Sequence, residues 1–365
     1  MINLHFFPSR RLAFYSVKLF LTRSLAVLVM LVLVLMTLDL LGESGRILAV
    51  PGNGDAELWQ YVALRIPLLT SRFLPFSVLL GTLIAFTGLN QHSEVIAMKA
   101  AGISAHQILA PLIVASLGIA GLTFAFNEAV VVKASRTVTA WTDNDYRPIK
   151  PESDLLSNVW ALSGDDLVRV RQLVGQGQGV RATGMTIYDR QDGTLRQVID
   201  ADRARPADGA WLLENARVYD TTLNTVVRKP QLVALRGVEP DRLTLAKVDP
   251  DNTDFFTLKK RIAQLEAAGR PAEEARAGLW HKISGPLSTL LMPLLAAVAA
   301  FGLARSGQVL LRATVGMALG FAYFVADNFS LAMGNAGAYP PFLSAWAPFV
   351  LFFLIGETVL IRTEE

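Results

Sequence analysis

"GLNQHSEVIAMKAAGISAHQI" runs from Gly88 to Ile108 between two strongly apolar stretches. It holds two histidines, a glutamate and a lysine, and it reads as a short helix. Ser93 stands at an N-cap position, and Glu94 in the first turn suits the positive end of a helix dipole. Val95, Met98 and Lys99 repeat along one side, and Gly102 stands where a C-terminal glycine commonly ends a helix. About ten residues cannot cross a hydrocarbon core, which takes roughly 20. The segment is therefore expected to lie along one face of a membrane that the chain crosses before and after it, with a charged end offered to another molecule.

The composition supports that setting. Of 365 residues, 52% are hydrophobic and 18% are charged, with a mean hydropathy of +0.39. A soluble domain carries about 25% charged residues. Residues 19–41, 67–88, 108–126, 283–304, 309–333 and 343–361 are nearly all apolar, which predicts six spans. Residues 127–282 have the mixed polarity of a soluble domain. The first apolar stretch exceeds a signal-peptide core and lacks a small-x-small cleavage site after it, so a retained span is expected. Cysteine is absent, which excludes disulfides, thiolate catalysis and cysteine-ligated metals. The basic balance, with a pI near 9.1, is explained by topology rather than by nucleic acid.

Short loops rich in Lys and Arg stay in the cytoplasm. Arg10, Arg11, Lys18 and Arg23 precede any acid; Arg305 and Arg312 follow the fourth span, and Arg362 follows the sixth. The 334–341 loop carries no charge. Both termini and the opening segment are expected on the cytoplasmic side, and the polar domain on the other.

Within that domain, residues 166–174, 184–190, 195–206, 211–220 and 224–235 alternate with period two, the pattern of half-buried strands. Asp192-Gly193 and Asp208-Gly209 fall between them as hairpin turns. The expected fold is an antiparallel sandwich or jelly roll, without a phosphate loop or catalytic cluster. Its sheet edge is also a template for a further strand. Leu258, Ile262 and Leu265 then follow helical spacing until Gly269 and Pro271, and a second helix leads through Trp280, His281 and Lys282 into the fourth span.

Enzyme chemistry finds no support. There is no G-x-x-x-x-G-K-[ST] phosphate loop, no H-E-x-x-H and no G-x-S-x-G elbow. No metal site is expected from His5, His92, His106 and His281. Charges near the spans say more, because they are costly in hydrocarbon. Arg65 and Arg72 share a helix face near the outer end of the second span. With Arg46, and with Lys133 and Arg136 past the third span, they make a candidate rim for lipid phosphates; interfacial snorkelling is the alternative. Asp327, beside Asn328, is the deepest acid, and a helix-to-helix hydrogen bond is expected there. In the fifth span, Gly316 and Gly320 allow close helix packing, while Phe321, Phe324 and Phe329 give a bulky apolar surface.

These pieces, taken in order, resemble the lipopolysaccharide export permeases of the LptF/LptG (YjgP/YjgQ) family, on its LptG side. The resemblance spans essentially the whole chain. It is carried by "RLAFYSVKLFLTRSLAVLVMLVLVLMTLDLL" (11–41), "SEVIAMKAAGIS" (93–104), "NVWALSGDDLVRVRQ" (158–172), "LWHKISGPLSTLLMPLLAAVAAFG" (279–302) and "GFAYFVADNFSLAMGNAGAYPPFLSAWAP" (320–348).

The resemblance implies a membrane α-helical fold of six transmembrane helices (3+3) with an inserted periplasmic antiparallel β-jellyroll. Residues 1–126 would hold the first three spans, with a coupling helix at about 92–102. Residues 127–253 would form the jellyroll, 254–282 a helical connector and 283–365 the last three spans. It implies a permease subunit of an ABC transporter in the cell inner membrane, extracting lipopolysaccharide from the outer leaflet toward a periplasmic bridge. The implied partners are an LptF-type permease subunit, an LptB-type ATPase dimer and an LptC-type bitopic protein. No cofactor is implied in this chain, since ATP and Mg would be bound by the ATPase. Glu94 is the implied ATPase contact, with Val95, Met98, Lys99 and Gly102 around it. The first and fifth spans imply a lateral gate, with Leu33, Gly316, Gly320, Phe321 and Phe324 as its apolar residues. Relatives of the LptG type carry lysines at the outer end of the first span. Here Asp39, Glu43 and Arg46 stand there, so either Arg46, Arg65 and Arg72 substitute or the lipid carries fewer phosphates. A permease of this architecture for another envelope lipid, a gradient-driven secondary transporter and an envelope scaffold are the competing readings.

Overall fold

A computed structural model of the chain describes residues 8–148, 156–175, 177–191, 193–221, 225–240, 243, 248–267, 270–301 and 309–362. Six helices among these are long and apolar enough to cross a membrane. The chain opens with α1 (Arg10–Leu48), α2 (Asp55–Gln91), α3 (Glu94–Ala100) and α4 (Ala105–Phe126). A π-helical turn (Asn127–Val131) joins α4 to α5 (Val132–Asp143). Six strands follow, then α6 (Phe255–Ala267), α7 (Glu273–Phe301), α8 (Val309–Asn335) and α9 (Pro341–Arg362). Three spans, an inserted antiparallel sheet and three further spans agree with the fold class expected from the sequence.

The helices outrun their apolar windows. At about 1.5 Å per residue, the 39 residues of α1 reach about 58 Å, against a hydrocarbon core of about 30 Å. Hydropathy marks only the buried middle of such a helix; its polar ends continue into water.

By its internal packing the chain forms two compact units. The helical unit comprises residues 1–42, 65–132 and 254–365. Its core gathers Phe20, Leu79, Leu83, Leu109, Leu112 and Leu295. Small residues bring its helices close. A Cβ on Gly81 would collide with Ser24 of α1, and one on Gly356 would come within 2.7 Å of Leu294.

The second unit comprises residues 43–64 and 133–253. Tyr146, 2% exposed, ties its helical base together. Its hydroxyl donates to Glu43 Oε2 at 2.7 Å, its carbonyl accepts from Asn53 Nδ2 at 3.0 Å, and Tyr61 and Trp141 pack edge-on against its ring. Burial, and then the hydrogen bond to Glu43, push the Tyr146 phenol above its ordinary pKa.

The strands are β1 (Leu156–Ser163), β2 (Asp166–Val174), β3 (Arg181–Gln191), β4 (Thr194–Ala207), β5 (Ala210–Asp220) and β6 (Thr225–Ala234). They pair in sequence order as one antiparallel meander. Asp208 and Gly209 both have positive φ, 48° and 70°. That is the two-residue hairpin expected from the Asp-Gly pair. Asp192 lies outside the described residues, as does Gly269.

One row breaks the period-two burial pattern in β2 to β5. Following the register across the sheet, Asn158, Arg171, Gly184, Asp202, Asn215 and Pro230 fall opposite one another, and the paired positions resume on either side of them. Asn158, Gly184 and Asn215 have φ of 49°, 66° and 54°. Across this line the buried residues of a strand stand three apart instead of two. Leu173 and Val170, Ala182 and Met185, Ala204 and Ala201, and Leu213 and Ala216 all belong to one core. The line is a crease: β2 to β5 invert their inward parity there, and the two limbs of the sheet close on a shared apolar interior.

Candidate functional site

Two residues, His92 and Ser93, separate α3 from the end of α2. So short a link leaves no room for the extended backbone of an N-cap. Ser93 instead turns with φ 60° and ψ 15°, and its side chain makes no cap hydrogen bond. This corrects the capping role expected for Ser93. The capping box lies one helix later, where Ser104 Oγ accepts from the Gln107 backbone and Gln107 Oε1 accepts from the Ser104 backbone.

The C-terminal end behaves as the sequence indicates. Gly102 has φ 83°; its N–H donates to the Lys99 carbonyl at 3.0 Å, and Ile103 N–H donates to the Met98 carbonyl at 3.1 Å. This pair of bonds is a Schellman stop, and the left-handed turn at its centre favours glycine.

Val95 (4% exposed) and Met98 (8%) point into the helical core beside Ile108 and Leu109. Burial of the two contributes about 1.5–3 kcal/mol each. They hold α3 down; the surface left for another molecule is the half-buried Glu94, the 66% exposed Ile96 and the exposed Lys99. Tyr15 of α1 donates its hydroxyl to Glu94 Oε1 at 3.3 Å, a contact that spacing along the chain could not signal. At the same end, His106 Nε2 lies 3.3 Å from Glu357 Oε2 of α9.

At the opposite end of the helical unit the charges are paired. Arg65 of α2 grips Asp39 of α1 with two bonds, Nε to Oδ2 at 2.9 Å and Nη2 to Oδ1 at 3.0 Å. Glu128, in the π-helical turn, accepts from Lys282 Nζ at 3.1 Å and from the Phe255 backbone N–H at 2.6 Å. Its neighbour Asn127 accepts from Ser71 of α2 at 2.6 Å. Asp327 Oδ2 lies 3.9 Å from His281 Nε2 of α7, an ion-pair distance across two helices and too long for the hydrogen bond expected there. Arg72 is exposed.

The other cations of the expected rim belong to the second unit. Arg46 pairs with Glu43 at 2.9 Å and lies over the Tyr146 ring; Arg136 donates to the Asn252 carbonyl at 3.1 Å; Lys133 is exposed.

α8 has two faces. Gly316 and Gly320 are buried against Leu83 and Leu79 of α2; a Cβ on Gly316 would come within 2.7 Å of Leu83. Phe324 packs edge-on against Phe76 at 5.2 Å. Phe321 (61% exposed), Val325 and Phe329 face outward, as does Leu33 of α1 (63%). The glycines therefore hold the helix to its own chain, and the outward aromatics form its free apolar surface.

Comparison with known proteins matches residues 14–362 to the family model "Lipopolysaccharide export system permease LptF/LptG". The lipopolysaccharide export system permease protein LptG of Escherichia coli K12 is 27% identical over 312 residues, covering 83% of this chain and 84% of that protein. LptG of Haemophilus influenzae is 24% identical over 324 residues, covering 86% and 89%.

Proposed function

The chain belongs to the lipopolysaccharide export permease family LptF/LptG, and from that premise we propose that it is the LptG-type permease subunit of an ABC transporter. Both termini and α3 lie on the cytoplasmic side of the inner membrane, and the sheet domain is periplasmic. A separate LptB-type ATPase dimer supplies ATP hydrolysis with its own Mg, and an LptF-type subunit completes the permease. Lipopolysaccharide leaves the outer leaflet between the apolar faces of α1 and α8 and passes toward an LptC-type bridge.

The observation that carries this reading is α3 itself. It is pinned by Val95 and Met98, stopped at Gly102, and leaves Lys99 exposed and Glu94 half-buried at its first turn. A seven-residue helix with no nucleotide site of its own serves as a lever for another protein's motion. The hydrogen bond that Glu94 accepts from the Tyr15 hydroxyl passes that motion to α1. The Asp39–Arg65 pair supports a lipid with fewer phosphates than LptG relatives handle, because the carboxylate already occupies the guanidinium fork.

A pull-down of the full chain in mild detergent tests the reading. The expected result is co-purification of an ABC-type ATPase and lipopolysaccharide, with the ATPase lost in Glu94→Lys. A lone protein that moves its substrate on an ion gradient would overturn it.

A further inference from the structure

We infer that His281 and Asp327 form a proton-operated latch between α7 and α8, closed while the imidazole is charged and released when it is neutral. The latch stands on the packing of the helical unit; its bearing on lipid rests on the proposed function.

The pair sits in an otherwise apolar wall. The Asp327 side chain is 14% exposed and that of His281 30%, with Oδ2 and Nε2 3.9 Å apart. Among the described residues, no other cation lies within ion-pair distance of Asp327. A charged imidazole attracts the carboxylate across that gap. A neutral one does not, since 3.9 Å is too long for a hydrogen bond. A lone carboxylate at such a place is costly, so the two states of the ring hold α8 with different strength. Histidine is the side chain that ordinarily titrates in the physiological range.

The far side of the ring leaves its protonation free to change. His281 Nδ1 is buried without a hydrogen-bond partner among the described residues, and so is Ser284 Oγ. Ser284 is 1% exposed and stands three residues on, along the same face of α7. No acceptor holds a proton on Nδ1, and no donor excludes one.

Few other polar groups face the pair. On α8, the buried Tyr323 is joined to Ser288 of α7 by a hydrogen bond. On α7, Lys282 is taken by Glu128. α2 packs Phe76 against Phe324, and its exposed Arg72 lies one turn from Phe76. α9 sets Ser344 against Gly334 and Phe352 against Tyr323. As pH falls through the imidazole titration, the pair forms and α8 is held on α7. As pH rises through it, α8 is released. α8 carries the outward Phe321 and Phe329, so release frees one wall of the proposed lipid path. His281 and Asp327 are thus positioning residues and need not touch the lipid.

Spin labels at Glu274 and Asn335, exposed residues in the first turn of α7 and at the end of α8, read the latch. The chain has no native cysteine, so the pair is introduced without background. Full-length chain, with the proteins that co-purify with it, is held in lipid nanodiscs well below and well above the ordinary histidine pKa of about 6.5. One short separation is expected at the lower pH, and a longer, broader distribution at the higher. Asp327→Asn is expected to give the broad distribution at both. His281→Lys, charged throughout, is expected to give the short one at both. Equal wild-type separations at the two pH values overturn the latch, and so does a pH step that survives in Asp327→Asn. The wild-type comparison decides even where a variant does not fold.

Photocrosslinking from position 321 to lipopolysaccharide separates the latch from the permease reading. A several-fold stronger crosslink is expected at the higher pH. A step in separation with no crosslink at either pH overturns the permease reading and leaves the latch. A crosslink without a step in separation does the reverse. A step with equal crosslinks overturns the bearing of the latch on lipid.

Discussion

Glu94 and Lys282 are both charged residues in the helical unit, and the chain holds them in opposite ways. Glu94 opens α3 with one hydrogen bond, from Tyr15 at 3.3 Å. Lys282 is 13% exposed and closes on Glu128, 18% exposed, whose second oxygen takes the Phe255 N–H. The first is inexpensive to leave unpaired, because water reaches it. The second is not, because a lone charge in an apolar wall has nothing to replace its partner. A charge meant for another protein stays in solvent, whereas a charge that ties helices together is enclosed.

Lys282→Met attacks the enclosed side. It leaves Glu128 without its cation, and removing one partner of a buried pair costs about 3–5 kcal/mol. A marked fall in Tm of the detergent-solubilised protein is expected. An unchanged Tm would erase the contrast between the two ends. Glu94→Lys attacks the open side. ATPase co-purification is expected to fall by at least about tenfold, roughly 1.4 kcal/mol, with Tm unaltered. A matching loss of Tm would recast Glu94 as a structural residue.

Asp39→Asn lies between these extremes, since Arg65 and Asp39 are 31% and 22% exposed. A loss of about 1 kcal/mol in stability is expected, together with stronger lipopolysaccharide crosslinking as the Arg65 fork is released. Weaker crosslinking would show that Asp39 serves the lipid site. The smallest effect is expected from Tyr15→Phe, which removes one exposed hydrogen bond worth about 0.5 kcal/mol. ATPase affinity should fall roughly twofold, and lipid release per ATP hydrolysed should fall with it. Unchanged coupling would leave α1 and α3 linked only by their shared apolar core.

Much of this was legible from the chain alone, for a local reason. Spans announce themselves by length and hydropathy, strands by alternation and α3 by being too short to cross. Gly102 declared its stop because only the turn itself demands that residue. Ser93 misled because cap preference presumes room before the helix, and a two-residue link provides none. Val95 and Met98 carried the right periodicity but the opposite meaning: the repeat marks the face that α3 buries in its own chain.

The cations near the spans were legible as composition, but their partners were not. Arg65 and Asp39 are 26 residues apart, and Lys282 and Glu128 are 154 apart; nothing in spacing says which carboxylate a cation will meet. The crease was hidden more deeply. One asparagine or glycine in a strand looks like an ordinary irregularity. It becomes a line only when six strands are laid in register.

The sequence by itself determined six spans, an inserted antiparallel domain and a short surface helix, because apolar length and period are properties of consecutive residues. Tertiary structure decided which charges pair, which face of α8 is free and where the sheet folds, because each depends on residues that meet only after the chain has closed on itself.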